Sequence, residues 1–181
     1  ILVLDDGSSD ETPLLLEGLA RRDTRIRWFR RDFSRGLAEA LNTLIAESHG
    51  DYLARMDDDD VCHPRRFELQ LEWMQANRVD VCGTWYRRCS VLGKSVARPP
   101  VQDSLIKAEL LFQPPLLHPS VMLRRELVER HGSYAADFPH AEDYELWVRL
   151  APYVRFGNVP QLLMDYMLSR HQVSKRHNTE Q

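Results

Sequence analysis

Gly50-Asp51-Tyr52-Leu53-Ala54-Arg55-Met56-Asp57-Asp58-Asp59-Asp60 is the stretch whose reading decides the fold. Gly50 closes a helix, Tyr52 to Met56 reads as a strand, and that strand ends abruptly in four carboxylates. Adjacent carboxylates repel one another, and each costs free energy unless water or a cation neutralises it. A hard divalent cation, held by one or two of them and completed by phosphate oxygens, supplies the missing charge in enzymes that act on diphosphate esters. The run alone equally describes a solvated acidic loop. It does not describe an EF-hand, because Cys62 stands at the sixth loop position, where the sharp turn demands Gly. Cys62 and His63 also lack partners at the spacing of a structural zinc site.

Upstream, Leu37, Leu41, Leu44 and Ile45 form one stripe of a helix that starts at Gly36. Ile26 to Phe29 reads as a strand, and Thr12-Pro13 opens a helix with Leu15, Leu16 and Leu19 on its apolar face. The chain begins on an apolar run, Ile1 to Leu4, closed by Asp5-Asp6-Gly7-Ser8-Ser9. Downstream, Pro64 opens a helix in which Phe67, Leu71 and Met74 share a face. Strand, acidic turn and helix therefore alternate three times in about the first 80 residues, which predicts an α/β layered sheet with ligands at its strand ends. The second half is less regular, with two short strands over Val79–Val91, another over Ser120–Leu123 and a buried helix over Asp143–Leu150.

The bulk numbers agree with a globular chain. The 181 residues are 43% hydrophobic and 28% charged, enough for one domain with a real core. A net charge of −3 gives no basic field to recommend nucleic acid as a partner. Three cysteines without a CxxC pair argue against a disulfide scaffold and for a reducing compartment. No apolar run approaches the roughly 20 residues that span a bilayer.

Four segments, in order, resemble family 2 glycosyltransferases. They are Leu2 to Thr12, with Arg35-Gly36-Leu37-Ala38 and Asn42 after it; Gly50 to Asp60 with Pro64 and Arg66; His118-Pro119-Ser120-Val121-Met122; and Ala141 to Leu150. The resemblance implies a GT-A-type nucleotide-diphospho-sugar transferase fold, α/β, with a mixed, mostly parallel sheet flanked by helices. It implies a single domain over residues 1–181, with a nucleotide-sugar-binding half (1–90), an acceptor half (91–165) and a carboxyl-terminal loop (166–181). It further implies an inverting enzyme with Mn or Mg, a UDP-sugar donor, and a saccharide or lipid-linked acceptor in surface glycan synthesis. Such an enzyme is expected in the cytoplasm, associated peripherally with the inner face of the membrane. Family members open with one more strand and helix, so about 30 to 40 further residues are expected upstream of Ile1.

By the same resemblance, Asp5 and Asp6 contact the nucleotide. Asp57 and Asp59 are the outer carboxylates of a D-x-D motif and metal ligands, with Asp59 the more direct, while Asp57 or Asp58 lies near the donor ribose. Asp143 is the general base. Its position with Glu142 at the start of an apolar helix suits a carboxylate, since the helix dipole favours negative charge there and a neighbouring acid raises a pKa; ordinary first-turn helix acids look the same. His118 lines the donor diphosphate or acceptor pocket, or is a packed histidine. Arg35 and Asn42 are candidate donor contacts, with Arg35 equally a solvated helix-start residue, and Trp85 and Trp147 are candidate sugar-stacking residues, with Trp147 the better fit to the core. After Tyr166 the family carries an arginine where this chain has Met167, so Arg170 or His171 is expected to supply the diphosphate contact, on a loop that closes over the donor. Two other classes fit part of this pattern: a catalytically silent nucleotide-sugar-binding module, and a nucleotidyltransferase, for which the visible sequence offers no Gly-rich basic loop.

Overall fold

The computed structural model describes residues 1–168. Arg170 and His171 lie outside the described residues. Two parallel strands, β1 (Leu2–Asp6) and β2 (Arg27–Arg31), flank α1 (Thr12–Arg22), which begins on Pro13 and ends with Arg21 and Arg22 in its last turn. The helix α2 (Leu37–Ala46) then starts at Gly36, whose φ of 91° only glycine adopts readily. Next come β3 (Tyr52–Ala54), β4 (Val61–Cys62), α3 (Arg66–Asn77), β5 (Val81–Ser90) and β6 (Gly93–Ala97). The chain continues through α4 (Asp103–Glu109), a 3₁₀ turn at His118–Ser120, β7 (Met122–Arg124), α5 (Arg125–His131), α6 (Glu142–Leu150) and β8 (Phe156–Met167).

The larger sheet runs β3-β7-β5-β8-β4, with β6 paired to β5. Helices cover both of its faces, because successive strand residues turn to opposite sides. Val81 and Leu123 join Ile106, Leu127, Leu146, Trp147 and Phe156 in the core beneath α4, α5 and α6. Their neighbours Cys82 and Met122 join Met74, Val159 and Leu163 beneath α3. The buried helix expected over Asp143–Leu150 is α6.

The mixed α/β architecture agrees with the sequence, but several details differ. Parallel pairing is confined to β1–β2 and β5–β8, and the other four pairings are antiparallel. One of the four is a hairpin: β6 returns beside β5 through the tight turn at Val91-Leu92, which permits no crossover. Val79–Val91 is one long strand rather than two, because β8 supports β5 from Val81 to Cys89. Tyr166 and Met167, expected to open a loop, are the last residues of β8. The face of α1 expected to be apolar core is solvent-facing, with Leu15 64% and Leu19 47% exposed. Among the described residues no strand joins the β1–β2 ribbon to the larger sheet.

Candidate active site

The acidic turn forms where β3 leaves its partner. Arg55, just past β3, donates its backbone N–H to the Val121 carbonyl at 2.9 Å, fixing the turn against the start of β7. Its buried guanidinium grips both oxygens of Asp57, at 2.5 and 2.8 Å. Beneath it, Arg66 is 1% exposed and donates to the carbonyls of Arg55 (2.6 Å) and Pro119 (3.0 Å). No carboxylate pairs with Arg66 among the described residues, and burial draws its pKa down to about 10. This arginine ties the acidic turn to the 3₁₀ turn that carries His118.

Oxygens of Asp57, Asp59 and Asp60 lie within 4.8 Å of one another, while Asp58 is exposed and stands outside the group. Asp60 was not among the expected ligands. Its Oδ1 accepts the N–H of Met167 at 2.9 Å, and its Oδ2 is buried with no hydrogen-bond partner. Burial pushes its pKa up to about 6; the Met167 N–H opposes the rise, and Asp59 and Asp57 add to it. Burial also raises Asp57, against the pull of Arg55. An orphaned carboxylate oxygen beside two further carboxylates is a donor set that fits a hard divalent cation.

The structure brings His118 and Asp143 together. His118 Nδ1 lies 4.0 Å from Asp143 Oδ2, and its Nε2 lies 2.9 Å from the Tyr134 hydroxyl. Burial holds the imidazole pKa well below its ordinary value, and the Arg55 charge adds to this. Asp143 moves the other way: burial raises its pKa, the Tyr144 N–H and Arg55 oppose, and Glu142 adds. Trp147 is wholly buried, with its ring edge-on to His118, so it belongs to the core rather than to a sugar-stacking surface. Tyr134 carried no sequence signal. Asn42, expected at the donor, instead exchanges two hydrogen bonds with the Tyr134 backbone, at 2.8 and 3.0 Å.

Asp5 and Asp6 sit at the end of β1. Asp5 is buried, accepts the Ser8 N–H at 2.8 Å and faces Arg30 at 3.5 Å. Burial pushes the Asp6 pKa up, but the Ser34 hydroxyl, the Arg35 N–H and Arg31 outweigh it and hold the carboxyl below its ordinary value. Arg35 takes part through its backbone; its guanidinium lies over the Phe33 ring, 5.3 Å from the centroid. A cleft of about 600 Å³ opens beside the His118–Asp143 pair, with Tyr86, Arg88, Arg98 and Tyr166 in its walls. Trp85 stands behind it, its indole N–H donated to the Pro99 carbonyl at 3.1 Å. Neither Asp5, Asp6 nor the acidic turn lines this cleft.

The mixed sheet with helices on both faces is a GT-A-type glycosyltransferase fold. Solved structures share it. The S. aureus TarS fragment 1–349 in complex with UDP-GlcNAc superposes with a TM-score of 0.77 at 15% identity, covering 94% of this chain and 50% of that one. The Pyrobaculum calidifontis mannosyltransferase PcManGT, in complex with GDP-Man and Mn2+, gives 0.72 at 20% identity, covering 97% and 49%. The chain belongs to glycosyl transferase family 2, whose model matches residues 1–132. Among curated relatives, it is 28% identical to an uncharacterized glycosyltransferase of Haemophilus influenzae over 195 residues, all of this chain and 60% of the relative. It is 27% identical over 180 residues to the Escherichia coli O-antigen biosynthesis glycosyltransferase WbnJ, 97% of this chain and 70% of that protein. No helix among the described residues is long and apolar enough to cross a membrane.

Proposed function

We propose that this chain carries an inverting, metal-dependent glycosyl transfer from a nucleotide-diphosphate sugar to a saccharide or lipid-linked acceptor in surface glycan synthesis. The observation that carries the reading is Asp143: a carboxylate with a raised pKa at the wall of a cleft, beside a neutral histidine. Such a group accepts a proton near neutral pH more readily than an exposed carboxylate. The acceptor hydroxyl attacks the anomeric carbon from the face opposite the diphosphate; its proton passes to Asp143 as the bond from carbon to phosphate oxygen breaks. Asp57, Asp59 and Asp60 would hold Mn or Mg, whose chemistry is to neutralise the departing diphosphate.

Asp5 and Asp6 are assigned to the nucleotide, Asp58 to the donor ribose, and Arg35, Arg170 and His171 to the rest of the donor. By this reading the half over residues 1–90 binds donor and the half over residues 91–165 binds acceptor, with Tyr86, Arg88 and Tyr166 joining it in the cleft wall. TarS bound to UDP-GlcNAc, and an Escherichia coli relative named as a UDP-Glc-dependent β-1,3-glucosyltransferase acting on a diphosphoundecaprenol-linked sugar, support a UDP donor and a lipid-linked acceptor. Such an acceptor supports work at a membrane surface, and the reading assigns it to the cytoplasmic face. The test is Asp143→Asn: sugar transfer should vanish while donor binding persists, with nucleoside diphosphate rather than pyrophosphate released by the unaltered protein. Undiminished transfer by the variant would remove the base assignment.

A further inference from the structure

We propose that Tyr134 is a positioning residue for the Asp143 carboxylate, acting through the tautomer of His118; this rests on the reading of Asp143 as the base. His118 is held between two oxygens, the Tyr134 hydroxyl at 2.9 Å from Nε2 and Asp143 Oδ2 at 4.0 Å from Nδ1. The ring is neutral, because burial disfavours its charge, so it carries one proton in one of two places. With that proton on Nε2, the Tyr134 hydroxyl must accept, its own proton finds no acceptor among the described residues, and a bare Nδ1 lone pair faces the carboxylate. With the proton on Nδ1, Tyr134 donates to Nε2, and Nδ1–H faces the Asp143 carboxylate across 4.0 Å, an attraction where the other tautomer sets a lone pair against negative charge. Burial, with Asp143 and Glu142 adding, raises the phenol pKa, so the hydroxyl keeps its proton.

The supports of this pair are rigid. Asn42 fixes the Tyr134 backbone through both its amide N and O, and Trp147 closes the other side of the imidazole. Asp143 Oδ1 accepts the Tyr144 N–H at 2.8 Å while Oδ2 faces His118. Both oxygens are therefore oriented, and each retains a lone pair for an incoming hydroxyl. The 4.0 Å gap exceeds a hydrogen bond, as such contacts often do before substrate arrives. The other ionisable groups around Asp143 are Glu142 on its own helix, Arg55 and Asp57 from the acidic turn, and Arg88, Arg98, Glu109 and His140 in the cleft wall.

The experiment compares Tyr134→Phe, His118→Ala and His118→Asn in the full chain, measuring kcat, donor KM and the pH dependence of kcat. Phe keeps the ring and removes one donor. We expect kcat to fall about tenfold, the worth of one hydrogen bond, with donor KM unchanged. The acidic limb should move to higher pH, because the freed imidazole can turn its lone pair toward Asp143 and disfavour the carboxylate. Asn places an amide N–H where Nδ1–H stood, so His118→Asn should retain more activity than His118→Ala and should be insensitive to added Tyr134→Phe. A kcat loss with an unmoved acidic limb, or equal losses from Tyr134→Phe in the native and His118→Ala backgrounds, would overturn the proposal. An inactive Asp143→Asn beside a fully active Tyr134→Phe would sink this inference alone, whereas an active Asp143→Asn would sink the base reading beneath it.

Discussion

Replacing Asp60 by Asn tests whether the acidic turn is built against an electrostatic penalty that a cation relieves. Asp60 is 6% exposed, with one oxygen on the Met167 N–H and the other orphaned. Moving its carboxyl from an ordinary 3.8 to about 6 disfavours the ionised form in the fold by about 3 kcal/mol, at about 1.4 kcal/mol for each tenfold change. The folded value lies above the unfolded one, so the protonated group contributes its full stability below about pH 4 and loses it as pH rises through about 6. At pH 7 the cation-free protein bears the whole penalty.

Asn keeps an oxygen for Met167 and cannot ionise. In EDTA at pH 7, Asp60→Asn should therefore be more stable than the unaltered protein, by up to about 3 kcal/mol, and the advantage should vanish near pH 4. Urea unfolding followed by tryptophan fluorescence, from pH 4 to 8, measures this. Asp143 is also raised by burial, and its slope is common to both proteins; Asp57 is coupled to Asp60, so its altered titration is part of the difference measured. Manganese should reverse the order, stabilising the native carboxylate set more than the variant. Identical pH dependence of the two proteins in EDTA would refute the reasoning.

Gly157→Ala puts a methyl 2.4 Å from two atoms of the Trp73 ring and 3.2 Å from Val79; it should cost about 1–3 kcal/mol, read as a lowered Tm, and an unchanged Tm would show that Trp73 yields freely. Arg66→Met leaves the buried Arg55 and Pro119 carbonyls without their donor, at about 2–4 kcal/mol in urea unfolding, with weaker manganese binding because the acidic turn loses its tie. Leu92→Ser, at a hairpin tip 96% exposed, should change stability by less than about 0.5 kcal/mol, and a larger loss would mean that the tip packs against something.

What was legible in the sequence was local. The strand running into Asp57 to Asp60 and the acids opening α6 are written in consecutive residues, and both stand where they were read. The partners of these groups come from far along the chain and left no such mark. Asp60 meets Met167 across 107 residues, and Asn42 meets Tyr134 across 92. Burial of Asp60 follows from β8 pairing with β4, a contact that no periodicity in either strand announces. The extent of parallel pairing was misjudged for the same reason: hydrophobic alternation shows that a strand is buried, not which neighbour buries it. Asn42 illustrates a subtler failure, since a polar residue on an apolar helix stripe reads as a ligand contact until its backbone partner is seen.

The charge inventory explains why the acidic turn persists in a folded chain. Four consecutive carboxylates are answered by two buried arginines, Arg55 directly on Asp57 and Arg66 one layer below. Water can serve Asp58 and Asp59, which are exposed, but it cannot reach the second oxygen of Asp60. Without a cation a proton meets that deficit only below about pH 6, and at pH 7 the carboxylate stays charged at a cost. Arg55 already occupies both oxygens of Asp57, so Asp59 and Asp60 are the less committed donors for a divalent ion. The Arg55 charge also reaches His118 and Asp143, keeping the first neutral and opposing protonation of the second. Burial is the larger cause at each group, and one side chain modulates both ends of the proposed reaction: the ion-holding turn and the proton-accepting helix feel the same buried cation.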